Sequence, residues 1–138
     1  MNPNNIEYSE RRDLSVEEIV TLYRANAWSA AEKPTALRNA LLNSNALISA
    51  WSGNDLVGLG NAISDGYLVV YYPHVLVHPD YHRRGIGSEI VRRLIKKYDG
   101  FHQHMLVADT KMKRFYERLG FQRAGTTESM WIYAGHDH

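Results

Sequence analysis

The stretch VLVHPDYHRRGIGSEIVRRLIKKY, Val75 to Tyr98, decides the reading of this chain. It opens on β-branched and apolar residues, a strand signal, and ends in a helical pattern. Ile86, Ile90, Val91, Leu94, Ile95 and Tyr98 recur with a period of 3.6, while Arg92, Arg93, Lys96 and Lys97 fall on the opposite face. Gly85 and Gly87 stand one residue apart at the junction. Glycine weakens local order, so a junction that uses two of them needs a bare backbone. The first N–H groups of a helix have no partner inside it, and the helix dipole adds partial positive charge there. Without a Cβ an anion can approach those donors, and Arg83 and Arg84 add two full charges beside them. A pyrophosphate-bearing ligand suits such a junction. The plainer alternative is a tight strand-to-helix turn with no ligand.

The rest of the chain is read outward from that junction. Ile6 to Arg11 reads as a first strand. Ser15 and Glu18 in SVEE form a capping box, followed by Val16, Ile19, Val20 and Tyr23 at helical spacing. A second helix is expected over Thr35 to Asn43, with Leu37, Ala40 and Leu41 inward. ALISAW and LVGLGNAIS read as strands joined by the turn SGND. YLVVYYPHVLV is a long apolar run interrupted by Pro73, which predicts a strand that loses regular pairing near Pro73 to Val77. QHMLVA is a further strand. Asp109 caps another helix, with Met112, Phe115, Tyr116 and Leu119 as its apolar stripe and Gly120 as its stop. FQRA and ESMWIY read as two closing strands. The order is that of a mixed sheet with helices packed on it.

Neither common nucleotide loop fits the junction. A dinucleotide fingerprint would have glycine at Ile90, and the lysine-hydroxyl pair of a P-loop is absent. HRRGIG, His82 to Gly87, after VLVHPDY instead resembles the coenzyme-A pyrophosphate loop of the GNAT superfamily, the acyl-CoA-dependent N-acetyltransferases. His82 stands where the family pattern has Gln or Arg. ADTKMKRFYERLGF, Ala108 to Phe121, resembles the second signature of that family, a strand leading to a helix that ends Y-x-x-L-G-F. Asp109 and Met112 take positions commonly held by Asn and Ala. The likeness runs from about Leu56 to Tyr133.

The resemblance implies an α/β (α+β) GNAT fold over residues 1–138 as a single domain, with 134–138 as a flexible tail. That fold is a mixed, mostly antiparallel sheet of about six to seven strands with splayed central strands, flanked by about four helices. It implies acetyl-CoA as acyl donor, an amine as acceptor and no metal. Val75, Leu76 and Val77 would meet the pantetheine arm through their backbone. The amides of Arg83, Arg84, Gly85, Ile86, Gly87 and Ser88 would carry the phosphates, with His82, Asp109, Met112 and Phe115 as further coenzyme contacts. A main-chain N–H beside the splay would polarise the thioester carbonyl as it becomes an oxyanion.

The resemblance also implies that Tyr116 attends the departing thiolate. On its residue type and spacing alone, Tyr116 reads first as a member of an apolar stripe. For the base that frees the amine, Asp65 in SDGY and His74 are the candidates, with Tyr71 and Tyr72 also on the splayed strand and a water chain as the alternative that needs none of them. Asp65 also reads as a turn residue before Gly66, and His74 as a satisfied sheet histidine. Trp28, between the first two helices, is a candidate wall of the amine site. A small-molecule amine is preferred as acceptor. A protein or peptide amine is an alternative, as is a non-catalytic acyl-CoA-binding module of the same fold.

Composition bounds the remaining classes. With 138 residues, 44% hydrophobic and 22% charged, the chain has enough apolar material for one core. Sixteen Lys and Arg against 15 Asp and Glu give a net charge of +1, which argues against a general nucleic-acid binder. There is no cysteine, so disulfides and thiolate chemistry are excluded, and a reducing cytoplasm is the expected setting. No apolar run reaches the length of a membrane span, and no membrane partner is expected. His78 and His82 are separated by a helix-breaking Pro79 and lack a third ligand, so no metal site is expected. A homodimer paired through the C-terminal strands is compatible with the pattern.

Overall fold

The structure, a computed structural model, describes residues 5–136. Helix α1 (Val16–Ala25) starts where the sequence places its cap. The Ser15 hydroxyl accepts the Glu18 amide at 3.1 Å, and the Glu18 carboxylate accepts the Ser15 amide at 3.1 Å. A 3-10 turn (Ser29–Glu32) leads into α2 (Pro34–Leu42), whose leading proline loses no helical bond. Leu37 and Leu41 of α2 point inward, whereas Ala40 is exposed at the edge of their stripe.

Among the described residues six strands form the sheet: β1 (Glu7–Ser9), β2 (Ala46–Ser52), β3 (Asp55–Ser64), β4 (Val69–Tyr71), β5 (Val75–Val77) and β6 (Gln103–Met105). The order is β1-β2-β3-β4-β6, with β5 also paired to β3. All pairings are antiparallel except β4 with β6. Helix α3 (Ile86–Lys97) carries the chain from β5 to β6, and a short α4 (Lys113–Glu117) follows a 3-10 turn (Thr110–Met112). One face of the sheet packs Leu47, Leu59 and Leu76 against Ile19, Leu22 and Tyr23 of α1 and Leu37 and Leu41 of α2. The other packs Ile48, Val57, Val70 and Tyr72 against Ile86, Ile90, Leu94 and Tyr98.

Two glycines of β3 set how closely α3 approaches. A Cβ on Gly58 would lie 3.1 Å from Ile90 Cδ1 and 3.2 Å from Ile86 Cγ2. A Cβ on Gly60 would lie 2.5 Å from Ile90 Cγ2 and 3.0 Å from Leu94 Cδ1. The helix therefore sits in the space those missing side chains leave.

The interruption expected near Pro73 is present and has a definite form. Ile63 faces Tyr71 and Gly60 faces Val75, so three steps along β3 match four along the opposing chain. One extra residue lies between β4 and β5, which is a β-bulge. It reverses the side-chain alternation. Tyr72 packs on the α3 side, and His74, two residues on, turns to Tyr23 and Trp28 on the α1 side.

Several expected elements differ. The first strand shortens to Glu7–Ser9 and QHMLVA to Gln103–Met105. The helix after Asp109 is a 3-10 turn followed by five residues of α-helix, with Met112 exposed, although Gly120 does adopt a left-handed φ of +99°. FQRA and ESMWIY form no strand. Their residues are good strand formers, but β propensity acts only where a neighbouring edge is offered, and no edge of the sheet pairs with them. Met130, Trp131 and Ile132 are exposed in consequence. Of the expected tail, His136 meets Glu32 at 2.9 Å, and residues 137–138 lie outside the described range.

Replacing Gly60 with alanine should lower stability by about 1–3 kcal/mol, because the methyl group overpacks Ile90 and Leu94. Chemical denaturation measures this, and an unchanged midpoint would mean that α3 does not depend on the glycine seat.

Candidate active site

The bulge gives β5 one free side. Asn61 N–H donates to the His74 carbonyl at 3.1 Å, and His78 N–H donates to the Val57 carbonyl at 2.8 Å. Antiparallel alternation makes Leu59 and Leu76 the bonded pair between them. The main-chain groups of Val75 and Val77 thus face away from β3. On that side β6 has already stopped: Tyr72 N–H donates to the Met105 carbonyl at 2.9 Å, and Leu106 to Asp109 continue without a ladder. No ladder joins β5 to the chain after Met105, so the sheet parts there. Of the three residues expected to offer backbone, Val75 and Val77 turn theirs to that parting, whereas Leu76 spends its main chain on β3 and its side chain in the core.

The glycine loop lies between β5 and α3. Arg83 has φ +64° and Gly85 φ +79°, two left-handed residues around Arg84. The first intrahelical bond of α3 runs from the Glu89 amide to the Gly85 carbonyl at 3.1 Å, so the amides of Ile86, Gly87 and Ser88 lie ahead of the helical ladder. A Cβ on Gly87 would meet Phe115 Cζ at 3.3 Å and Val77 Cγ2 at 3.6 Å, so β5, the start of α3 and α4 converge there. Arg83 and Arg84 are exposed, and the Arg84 guanidinium lies 4.9 Å over the Tyr81 ring. The His82 ring turns back on the chain: its Nε2–H donates to the Val77 carbonyl at 2.8 Å, which fixes the tautomer and ties the loop to β5. His78 Nδ1 accepts the Asp80 amide at 3.1 Å, and the described residues contain no group of three or more potential metal ligands.

Tyr116 lies on α4 with its ring packed edge-on against Phe115 and Phe121, at 4.9 and 5.9 Å. Burial raises its pKa, so the phenol stays protonated beyond the usual tyrosine range. No buried side-chain oxygen or nitrogen lacks a partner among the described residues, so this hydroxyl reaches solvent. Asp109 is engaged locally, its Oδ1 accepting the Lys111 amide at 2.9 Å, and Met112 is exposed beside it.

Across the bulge, His74 Nδ1 is 2.8 Å from Tyr23 Oη, and the Trp28 ring stands 5.3 Å from the imidazole. Asn61 grips the main chain of His74 from both sides, its Oδ1 accepting the His74 amide at 3.0 Å while its own amide donates to the His74 carbonyl. Asp65 is placed differently. It sits at the tip of the β3–β4 hairpin, where Oδ1 accepts the amides of Tyr67, Leu68 and Val69 at 2.9, 2.8 and 3.2 Å. These bonds, that from Leu68 first, lower its pKa. A carboxylate so occupied forms and holds the turn.

Sequence reasoning missed the contributions of Tyr23 and Asn61. Asn61, a polar residue in an apolar strand, is a signal that could have been followed. Tyr23 matches the apolar stripe of α1 and carries no mark of its own.

The chain matches the family model for the acetyltransferase (GNAT) domain over residues 10–131. It is 27% identical over 88 residues to the uncharacterized N-acetyltransferase ycf52 of Gracilaria tenuistipitata var. liui, covering 62% of this chain and 48% of that protein. It is 38% identical over 64 residues to the glucosamine 6-phosphate N-acetyltransferase of Schizosaccharomyces pombe, covering 45% of this chain and 56% of that one. These matches span about half the length of each relative. Among solved structures, the GNAT-family acetyltransferase SP0256 of Streptococcus pneumoniae superposes with a TM-score of 0.81 at 27% identity, over 94% of this chain and 99% of that one. A mixed sheet opened beside a glycine-led helix, found across a match of this extent, gives the conclusion that the chain belongs to the GNAT acetyltransferases.

Proposed function

We propose that the protein transfers the acetyl group of acetyl-CoA to a primary amine, by direct attack in a ternary complex, with a small molecule as acceptor. One observation carries the reading: the free side of β5 runs to the start of α3, where Gly87, Val77 and Phe115 meet. A linear thiol carrier with a diphosphate at one end would lie along the first and end on the second. In this reading the amides of Arg83 to Ser88 hold the phosphates, and the Val75 main chain and the Val77 N–H hydrogen-bond the pantetheine, the Val77 carbonyl being taken by His82. A main-chain N–H beside the bulge polarises the thioester carbonyl. Acetyl-CoA supplies the activated acyl group, and everything else is the work of the chain.

Two proton problems remain for side chains. An alkyl ammonium has a pKa near ~10.4, so freeing its lone pair at pH 7 costs roughly 4 to 5 kcal/mol. His74, beside the bulge and half-buried, is the base in this reading, and the engagement of Asp65 in its turn weighs against the carboxylate. At the other end a thiol of pKa ~8.5 leaves, so full transfer from an ordinary tyrosine would already be uphill by about 2 kcal/mol. Burial raises Tyr116 further. Tyr116 therefore stabilises the thiolate as a hydrogen-bond donor more than as an acid.

The amino-sugar phosphate named for the Schizosaccharomyces relative supports a small amine as acceptor. Residues 1–138 are read as one acetyltransferase domain acting in the cytoplasm, without nucleic acid or membrane. No helix among the described residues is long and apolar enough to cross a bilayer. A homodimer formed through the C-terminal segment would cover Met130, Trp131 and Ile132.

The decisive test mixes acetyl-CoA with an amine panel and follows free thiol. Release with at least one amine is expected, and binding without release across the panel would favour an acyl-CoA sensor. Tyr116→Phe should lower kcat about tenfold or more and leave acetyl-CoA affinity within about twofold. An unchanged kcat would return Tyr116 to a packing role. Asp65→Ala should lower the thermal midpoint without altering the pH dependence of kcat. Because folding depresses the Asp65 pKa, its stabilisation is present above the unfolded value of ~3.9 and is lost as pH falls through the folded one. The gap between wild type and variant should therefore close in acid.

A further inference from the structure

We infer that Asn61 is a positioning residue: its side chain takes the main-chain N–H of His74, and so leaves the N–H of Val75 as the donor that the strand break presents to the thioester oxygen. This rests on the acetyl-transfer reading and adds to it which amide is used and what selects it.

The amides around the bulge can be followed one by one. Tyr72 N–H donates to the Met105 carbonyl at 2.9 Å, and Pro73 has no N–H. His74 N–H donates to Asn61 Oδ1 at 3.0 Å. Leu76 N–H belongs to the Leu59 pair of the β3 ladder, and His78 N–H goes to the Val57 carbonyl at 2.8 Å. From Tyr72 to His78 that leaves the amides of Val75 and Val77, both turned to the parting. Val77 is the nearer to the start of α3, and Val75 the nearer to the bulge. A carrier whose diphosphate rests at α3 therefore brings its acyl end to Val75.

The side chain of Asn61 can sit in one way only. A main-chain N–H can only donate, so the atom facing His74 is the amide oxygen. On the other side Nδ2 meets Ser44 Oγ at 2.9 Å, and the Ser44 proton is already given to the Ala40 carbonyl at 2.8 Å. Oγ therefore accepts and Asn61 donates. Asn61 is 4% exposed, so water does not compete for these bonds. Asn61 N–H also donates to the His74 carbonyl at 3.1 Å. That carbonyl and Val75 N–H belong to one planar trans peptide and point in opposite directions. With the carbonyl held toward β3, Val75 N–H is aimed into the parting. The preceding peptide is held as well, through His74 N–H. Without the Asn61 side chain that peptide could turn, and the aim of Val75 would turn with it.

The aim matters in the chemical step. As the amine nitrogen bonds to the thioester carbon, a carbonyl electron pair moves onto oxygen, and an N–H directed at that oxygen strengthens in the transition state. The C–S bond then breaks, its pair leaves on sulfur, and the proton of the amine passes to the base. Of the Val75 main chain, the N–H serves the oxygen and the carbonyl is left to the pantetheine arm. An Asn61 that only satisfied a buried amide would act on stability and leave the thioester untouched.

The test has two independent arms. Amide NMR of the wild-type protein compares acetyl-CoA with CoA, which lacks the acetyl carbonyl. The largest difference between the two spectra should be a downfield move of the Val75 amide proton with acetyl-CoA. A largest difference at His74 or Val77, or none at Val75, would overturn the inference. In kinetics on the responding amine, Asn61→Ala should lower kcat roughly 10- to 100-fold and leave the KM for acetyl-CoA within about twofold. Asn61→Asp keeps an oxygen for His74 N–H and should recover most of that loss. An Asn61→Ala enzyme with wild-type kcat, or an Asn61→Asp enzyme as impaired as Asn61→Ala, would also overturn it. If Asn61→Ala does not fold, the wild-type spectra decide. Spectra that neither coenzyme alters would instead count against acetyl transfer itself.

Discussion

The extra residue between Tyr71 and Val75 is the constraint on which the molecule turns. An uninterrupted strand would carry β4 straight into β5, continue its ladder with β6, and leave no main-chain group exposed. The added residue reverses the pleat, so that His74 reaches the α1 core while Tyr72 stays with α3. It also coincides with the end of β6 at Met105, and the two together open the sheet. Pro73 suits the position because it has no N–H to lose. The price in backbone pairing is met locally by Asn61, whose amide group and main chain replace part of the interrupted ladder.

A second constraint holds the helix to the opening. Gly58 and Gly60 let Ile86, Ile90 and Leu94 press on β3 at a distance that any side chain would forbid. The apolar stripe of α3 supplies the attraction, and the two glycines decide where it stops. The positive end of the helix is thereby delivered next to Val77, where the His82 ring secures the loop to the strand. Packing on one face of the sheet and electrostatics at its edge are in this way the same arrangement seen from two sides.

Much of this was legible in the residues. The capping box at Ser15, the period of α3, the hairpin of β2 and β3 and the break at Pro73 are set by neighbours within a few positions, and sequence reports such neighbours well. The pairing of Gly85 and Gly87 before an amphipathic helix marked the strand-to-helix junction for the same reason. What failed depended on distant partners. ESMWIY has the residues of a strand, but a strand exists only beside another. The partners of Asp65 and His74, three local amides for one and a buried phenol for the other, were not legible in the sequence. His82 stands in the loop motif, yet its ring is spent on Val77. Gly58 and Gly60 sit in an apolar strand with nothing nearby to say that a helix rests on them.

The polar thread from Ala40 through Ser44 and Asn61 to His74 has one more bearing on how the molecule works. It joins the last turn of α2 to the strand break by three short links. The helix layer and the interrupted strand are therefore tied by directional bonds as well as by apolar packing, and a shift of one against the other would have to break a hydrogen bond before it could slide a side chain.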